Sequence, residues 1–368
     1  MTSSRPVVGH GAATTAVTRL GVRSQGGSGQ VSSERPLGEA VVQFRRRSGS
    51  KGARVLSWQQ ANQVANMASA QALAQLNVNL DAPRVDIAEA IHRAGITLMW
   101  QPLPKLFGAY LNQPGAEAGI IVNNRLPRGA RRHTAAHELG HAWLDHTTSA
   151  DDGSTINAAL DGDPLPAANR RRVWSDKEKA AEAFAAWFLM PRRVVTAALR
   201  VLNLERPKTA EDVYRLSLLL GTSYLSTLRH LPNLRLASTQ SCGDWARIAP
   251  GVLKGRLDAF AVQPGSRRLD VWQLTPRYDG LRLHLEPGDR IVIPWSGSAC
   301  EAAGLDLPDW VRWVPRRAAE TGSGSSSGVL EVAEFDDARE CVLADPAGGW
   351  SVTLVAAPPP RGIDRLEL

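Results

Sequence analysis

The sequence predicts an α+β fold, mainly helical through its first two thirds and all-β at its C-terminal end. Three observations carry that expectation. Apolar residues recur at helical intervals over most of the stretch from Ser57 to Leu231, and a period of 3.6 residues places them on one face. Short runs rich in Ile, Val and Leu break that pattern near residues 96–122 and take over beyond about Ala237, with Gly, Pro and Asp between them as turn signals. One helix-compatible stretch, Arg131 to His146, carries the pattern H-E-x-x-H at His137, Glu138 and His141.

At 368 residues the chain has room for two or three domains. Hydrophobic residues at 43% and charged residues at 21% suffice for a buried core and exclude a membrane or fibrous class. The net charge of +7 is compatible with an acidic or nucleic-acid partner and establishes neither. Cys242, Cys300 and Cys341 are isolated, odd in number and lack C-x-x-C spacing. Reduced thiols are therefore expected, rather than a disulfide framework or a cysteine metal site.

Residues 1–54 are rich in Ser, Gly, Thr and Arg and contain no apolar run long enough for a signal peptide or a membrane span. They read as a disordered basic tail on a protein that stays in the cytoplasm. Arg45, Arg46, Arg47, Lys51 and Arg54 at its end are expected to be a solvated linker rather than a nucleic-acid contact. From Ser57 to about Leu80, Ala61, Val64, Ala65, Met67, Ala68, Ala72, Leu73 and Leu76 repeat with helical spacing. A second helix, with Val85, Ile87, Ala88 and Ile91 apolar, stops at Gly95. Strands are expected at 96–100, 109–111 and 119–122, forming a small sheet beside the helix of the motif. An extended substrate could pair with an edge of that sheet along 109–122.

On a helix, His137 and His141 lie one turn apart on one face, so both imidazoles can reach a single metal ion. Glu138 lies beside them, placed to take a proton from a water on the metal's open side. The expected ion is Zn²⁺ and the expected reaction peptide hydrolysis. The bland reading is a buried, satisfied histidine pair; Ala135, Ala136, Leu139, Ala142, Trp143 and Leu144 make the helix apolar enough that imidazoles in it need a partner.

A third ligand must come from another element. The best candidate is the helix that begins at Ser175 and ends before Pro191, where Glu178 and Glu182 are a turn apart. Ser175 and Glu178 also fit a capping box, in which Glu178 would bond back to the backbone instead. Ala181, Phe184, Ala185, Phe188 and Leu189 around the two carboxylates argue that their face turns inward. Glu178 is thus expected as ligand and Glu182 as the partner of a ligating histidine's other nitrogen.

The run Gly119-Ile-Ile-Val-Asn-Asn124, the stretch Arg132-His-Thr-Ala-Ala-His-Glu-Leu-Gly-His141, Glu178 and Phe184-Ala-Ala-Trp-Phe-Leu-Met-Pro191 together resemble the ImmA/IrrE family of zinc metallopeptidases. The resemblance covers roughly Ser57 to Leu236. It implies a zincin-like domain with His137, His141 and Glu178 as metal ligands and Glu138 catalytic. It also implies a helix-turn-helix DNA-binding repressor as substrate, cleaved in a stress response or during mobile-element transfer. The chain departs from the family's pattern at His133, where Phe is usual, at Glu182, where Asn or Asp is common, and in a polar insertion at 147–174.

Beyond that helix, 194–202 reads as helical, Thr209 caps a helix to Leu220, and Tyr224 to Leu231 forms another across the turn at Gly221. The pair has helix-turn-helix spacing but offers only Arg229 and His230 as DNA contacts, so packing is the favoured role and DNA binding is not. Strands are expected at 269–274, 281–285, 290–293, 329–332 and 350–355, in a β domain of sandwich or barrel type. Trp245, Trp272, Trp295, Trp310, Trp313 and Trp350 are expected in its core, and 321–328 as a linker. The organisation expected is a basic tail (1–54), a metallopeptidase domain (55–202), a helical subdomain (203–236) and a C-terminal β-rich domain without an assigned role (237–368). A zinc endopeptidase fits the motif set best. A DNA-binding regulator and a sensor or scaffold, each with a vestigial site, are the alternatives. No membrane partner is expected.

Overall fold

Ser57 opens the ordered helical part with a full capping box, its hydroxyl accepting from the Gln60 N–H while the Gln60 side chain returns to the Ser57 N–H. The helix that follows, α1 (Trp58–Gln75), buries the stripe Ala61, Ala65, Ala68, Ala72 and Leu73. Asp86 caps α2 (Ile87–Arg93), and Gly95, at φ 70°, ends it with a left-handed residue and turns the chain into β1 (Thr97–Gln101). Strands β2 (Gly108–Leu111) and β3 (Gly119–Asn123) follow, then α3 (Arg128–Trp143). The computed structural model describes residues 56–145, 149–151, 174–258, 268–294, 307–314, 328–346 and 348–364. The tail expected at 1–54, nearly all of the insertion at 147–174 and all but Gly328 of the linker expected at 321–328 lie outside the described residues; Gly328 opens a strand instead.

Five strands form the first sheet, in the order β12-β1-β3-β2-β4. β1 and β3 are parallel and β2 is antiparallel to β3. The outer strands come from elsewhere in the chain. β4 (Ser149–Asp151) lies antiparallel to β2, and β12 (Gly362–Ile363) lies antiparallel to β1. The expectation of a sheet edge along 109–122 free for a substrate is thereby altered, because the chain's own residues pair with β2 on both sides.

The helices continue with α4 (Asp176–Leu189), α5 (Arg192–Val201), α6 (Ala210–Leu220) and α7 (Tyr224–His230). In the last of these His230 is buried and hydrogen-bonds the Met190 carbonyl, 3.2 Å away, so of the two residues this helix could offer to DNA only Arg229 is exposed. Two helices that the sequence does not predict come next, α8 (Thr239–Trp245) and α9 (Pro250–Leu257). Ser238 caps α8 and Pro250 begins α9, but both are short and each contains a glycine, which weakens any propensity signal.

β strands then take over as expected. β5 (Val271–Gln273), β7 (Arg290–Ile293), β9 (Gly328–Val332) and β8 (Val311–Val314) make one sheet in that order. A second sheet is ordered β10 (Arg339–Ala344), β11 (Ser351–Ala356) and β6 (Arg282–Leu285). β8, β10 and β12 were not predicted, since β10 is largely exposed and carries Arg339 and Glu340 where an apolar alternation would be. Trp272, Trp310 and Trp350 are buried as expected; Trp313 is half-buried, Trp245 is half-buried at the end of α8 rather than among strands, and Trp295 lies outside the described residues. Cys242 and Cys341 are free thiols, and Cys300 lies outside the described residues.

One apolar core runs from α1 through α4 and α6 into these strands, joining Leu98, Phe184 and Leu216 to Trp272, Ile291 and Leu354. The far face of the first β5-to-β8 sheet buries a smaller cluster, Val271, Val292 and Val329. Among the described residues no helix is long and apolar enough to cross a membrane.

Candidate metal centre

Helix α3 is buried nearly all round, and His133, His137 and His141 form one stripe along it at four-residue spacing. It faces α4 at close range, and the glycine inside the motif permits this. A Cβ on Gly140 would stand 3.0 Å from Phe184 Cδ1 and 3.2 Å from its Cβ, a fit that any side chain would disturb. On the other side β2 presses on α3 through Gly108, where a Cβ would come within 2.5 Å of the Thr134 methyl and 3.3 Å of Glu138 Cγ. Glu138 is fully buried between its neighbours on α3 and this strand.

Ser175 caps α4, accepting from the Glu178 N–H at 3.2 Å. The Glu178 carboxylate does not complete a capping box. Its oxygens lie 3.2 Å from His137 Nε2 and 3.6 Å from His141 Nε2, and the two imidazole nitrogens are 3.0 Å apart. Of the two roles the sequence leaves to Glu178, the structure thus shows the one that faces the histidines.

These separations fit a single small cation. Ligand atoms at about 2.0–2.1 Å from a tetrahedral ion are about 3.3–3.4 Å from one another, and this set clusters within 4.8 Å. Two imidazole nitrogens facing each other need one hydrogen or one cation between them. Burial lowers the pKa of His141, which favours the neutral ring that a metal requires. Burial opposes the charge on Glu178, yet hydrogen bonds from His137 and His141 outweigh it and hold the carboxyl well below the usual carboxylate range. Two neutral nitrogens and one carboxylate are a donor set suited to zinc.

Glu182, one turn further along α4, lies 2.9 Å from His133 Nε2 and 3.5 Å from His137 Nδ1. It stands on the side of His137 away from the cluster, as expected for a group that orients a ligand. Burial opposes its ionisation, but the charge and hydrogen bond of His133 hold its pKa low. His133 departs from the resembled pattern, and the sequence alone assigns it no role. It and the other departure, Glu182, are partners in space. The signal was available: His133 extends the His137 and His141 stripe by one turn, just as Glu182 extends that of Glu178.

Two buried histidines and a half-buried carboxylate, with Glu138 in the same helix as the histidines, define a candidate metal centre of the H-E-x-x-H type. Residues 92–218 match the family model of peptidase M78, described as the IrrE N-terminal-like domain. The match contains all of His137, Glu138, His141, Glu178 and Glu182, and it is shorter than the stretch over which the resemblance was read. Comparison with curated proteins finds no match.

Proposed function

We propose that the chain is a zinc-dependent endopeptidase of the cytoplasm that cleaves a DNA-binding repressor of the helix-turn-helix type, in stress response or mobile-element regulation. The observation that carries this reading is the convergence of His137, His141 and Glu178, from two helices, inside a segment that matches a peptidase family. His137, His141 and Glu178 would hold the ion, and Glu182 would fix the His137 ring. When bound, zinc supplies Lewis-acid chemistry, acidifying water and polarising a peptide carbonyl. Glu138 takes the proton from the attacking water and passes it to the leaving amine. The burial of His137, Glu138 and His141 keeps bulk water from competing for those contacts.

An extended peptide lying along this part of the sheet meets an edge already occupied, since β4 pairs with β2 from Gly108 to Tyr110. Such a substrate therefore displaces β4 or pairs with its outer side.

Glu138→Gln tests the mechanism. The amide keeps the size of the side chain and loses the proton acceptor, so zinc content should be unchanged while cleavage of a cognate repressor falls by roughly 10² to 10⁴. Cleavage at the wild-type rate, with contaminating proteases excluded, overturns the mechanism. Repressor binding that survives removal of the metal, with no cleavage by the wild type, would point to a scaffold instead.

A further inference from the structure

A cavity of about 570 Å³ lies away from the histidine and glutamate cluster. It lies between the N-terminal half of α3, the segment leading into α2, and strand β6. Five arginines line it, Arg84, Arg128, Arg131, Arg132 and Arg282, against two carboxylates, Asp86 and Glu286.

Three of these arginines have carboxylate partners. Arg128 pairs with Asp270 at 2.6 Å and Asp289 at 3.3 Å, Arg131 with Glu286, and Arg282 with Glu340 at 2.6 Å. Arg132 bonds only carbonyls, those of Gly221 and Val85. Arg84 has no hydrogen bond or ion pair with any other described residue; it feels Asp86 and Glu286 only at longer range. The two guanidiniums converge, because a Cβ placed on Gly221 would be 2.9 Å from Arg132 Nε and 3.2 Å from Arg84 Nε.

Two like charges this close are costly unless something negative joins them. Their surroundings register the excess. Burial lowers the pKa of Arg84, and Arg132 and Arg128 lower it further. His284, in the cavity wall, is pushed down to about 2 by burial and by Arg84, Arg132, Arg128 and Arg282. Part of the lining is apolar. Trp100, Trp272, Leu283 and Pro358 form it, and the buried Trp272 indole N–H has no hydrogen-bond partner among the described residues.

We propose that this cavity binds a small organic phosphate, with the phosphate held between Arg84 and Arg132 and the organic part against Trp100 and Trp272. Guanidinium forks match the paired oxygens of a phosphate, and two of them directed at one place suit a dianion better than a single carboxylate. The cavity is far larger than a free phosphate ion and falls within the range of small-molecule sites, roughly 300–1,000 Å³. The site does not depend on the peptidase reading.

Calorimetry on the full chain tests it, with inorganic phosphate, pyrophosphate, adenosine diphosphate and citrate as probes. The expected result is saturable binding of the nucleoside diphosphate at about one per chain, at least ~10-fold tighter than inorganic phosphate and weakened at least ~10-fold by Arg84→Ala. Arg84→Lys should recover part of the loss, because the charge returns without the fork. With no ligand present, Arg84→Ala should melt no lower than the wild type, since the residue has no described partner to lose. Absence of saturable binding by any phosphate probe, wild-type binding by Arg84→Ala, citrate binding as tightly as adenosine diphosphate, or a lower melting temperature for the unliganded Arg84→Ala protein would each overturn the proposal.

Discussion

The two ends of helix α3 are buried to a similar degree and do opposite things with their polar groups. From His133 onward the helix presents the imidazoles of His133, His137 and His141 to the carboxylates of Glu178 and Glu182 on α4. The N-terminal end presents Arg128, Arg131 and Arg132, whose partners are carboxylates at the ends of the C-terminal strands and backbone carbonyls. Burying a charge is costly in either place, and each end offsets the cost with what its neighbour supplies. Around the histidines the neighbours supply lone pairs and negative charge, a setting for a cation. Around Arg84 and Arg132 they supply too little negative charge, a setting for an anion. One helix thus carries sites of opposite sign because it packs against different partners along its length.

The largest effect expected at the cation end comes from removing a ligand. Glu178→Ala should weaken zinc binding, measured by competition with a chelator, more than Glu182→Ala does, for which about 10- to 100-fold is expected. The reverse order would exchange the roles of the two carboxylates. Gly140→Ala tests how far the cation end depends on the close packing of α3 on α4. The added methyl meets Phe184 at 3.0–3.2 Å, and a loss of stability of about 1–3 kcal/mol is expected, together with weaker zinc binding as Glu178 moves away. Unchanged stability and unchanged zinc affinity would show that α4 shifts at no cost.

A smaller effect is expected at the anion end, and it depends on pH. The folded protein holds His284 neutral down to about 2, whereas the ordinary value is 6.5. As pH falls through 6.5 the unfolded chain takes up a proton that the folded chain refuses. Stability therefore falls with falling pH across that window, by at most about 1.4 kcal/mol per pH unit for this one group. His284→Asn should flatten the dependence between pH 6.5 and 5 in chemical denaturation, and an equal slope in both proteins would remove His284 from the account.

Much of the helical part was legible because its signals are local. The capping residues Ser57, Ser175 and Thr209, the stop at Gly95 and the stripes of α1 and α6 are read within a turn or two of chain. The C-terminal strands were legible only where they are buried, as in β7 and β11, and not where an edge is exposed, as in β10. The expectation of a separate C-terminal β domain came from the change in composition after Ala237. In the structure Trp272, Ile291 and Leu354 share one core with Phe184 and Leu216, and β12 extends the first sheet.

The sequence by itself determined that His137 and His141 share a face, that Glu178 and Glu182 share another, and that Glu138 lies beside the first pair, because helical periodicity fixes neighbours three and four residues apart. Only the tertiary structure decided that Glu178 meets both histidines instead of returning to its own backbone, that Glu182 finds His133, and that β4 covers β2. The same holds for the arginine cavity, whose walls come from residues 82 to 360. Each of these is a relation between residues tens to hundreds of positions apart. Charge and exclusion act through space, so which groups meet, and which guanidiniums lack a carboxylate, is settled only when the core that packs α3 against α4 and the C-terminal strands has formed.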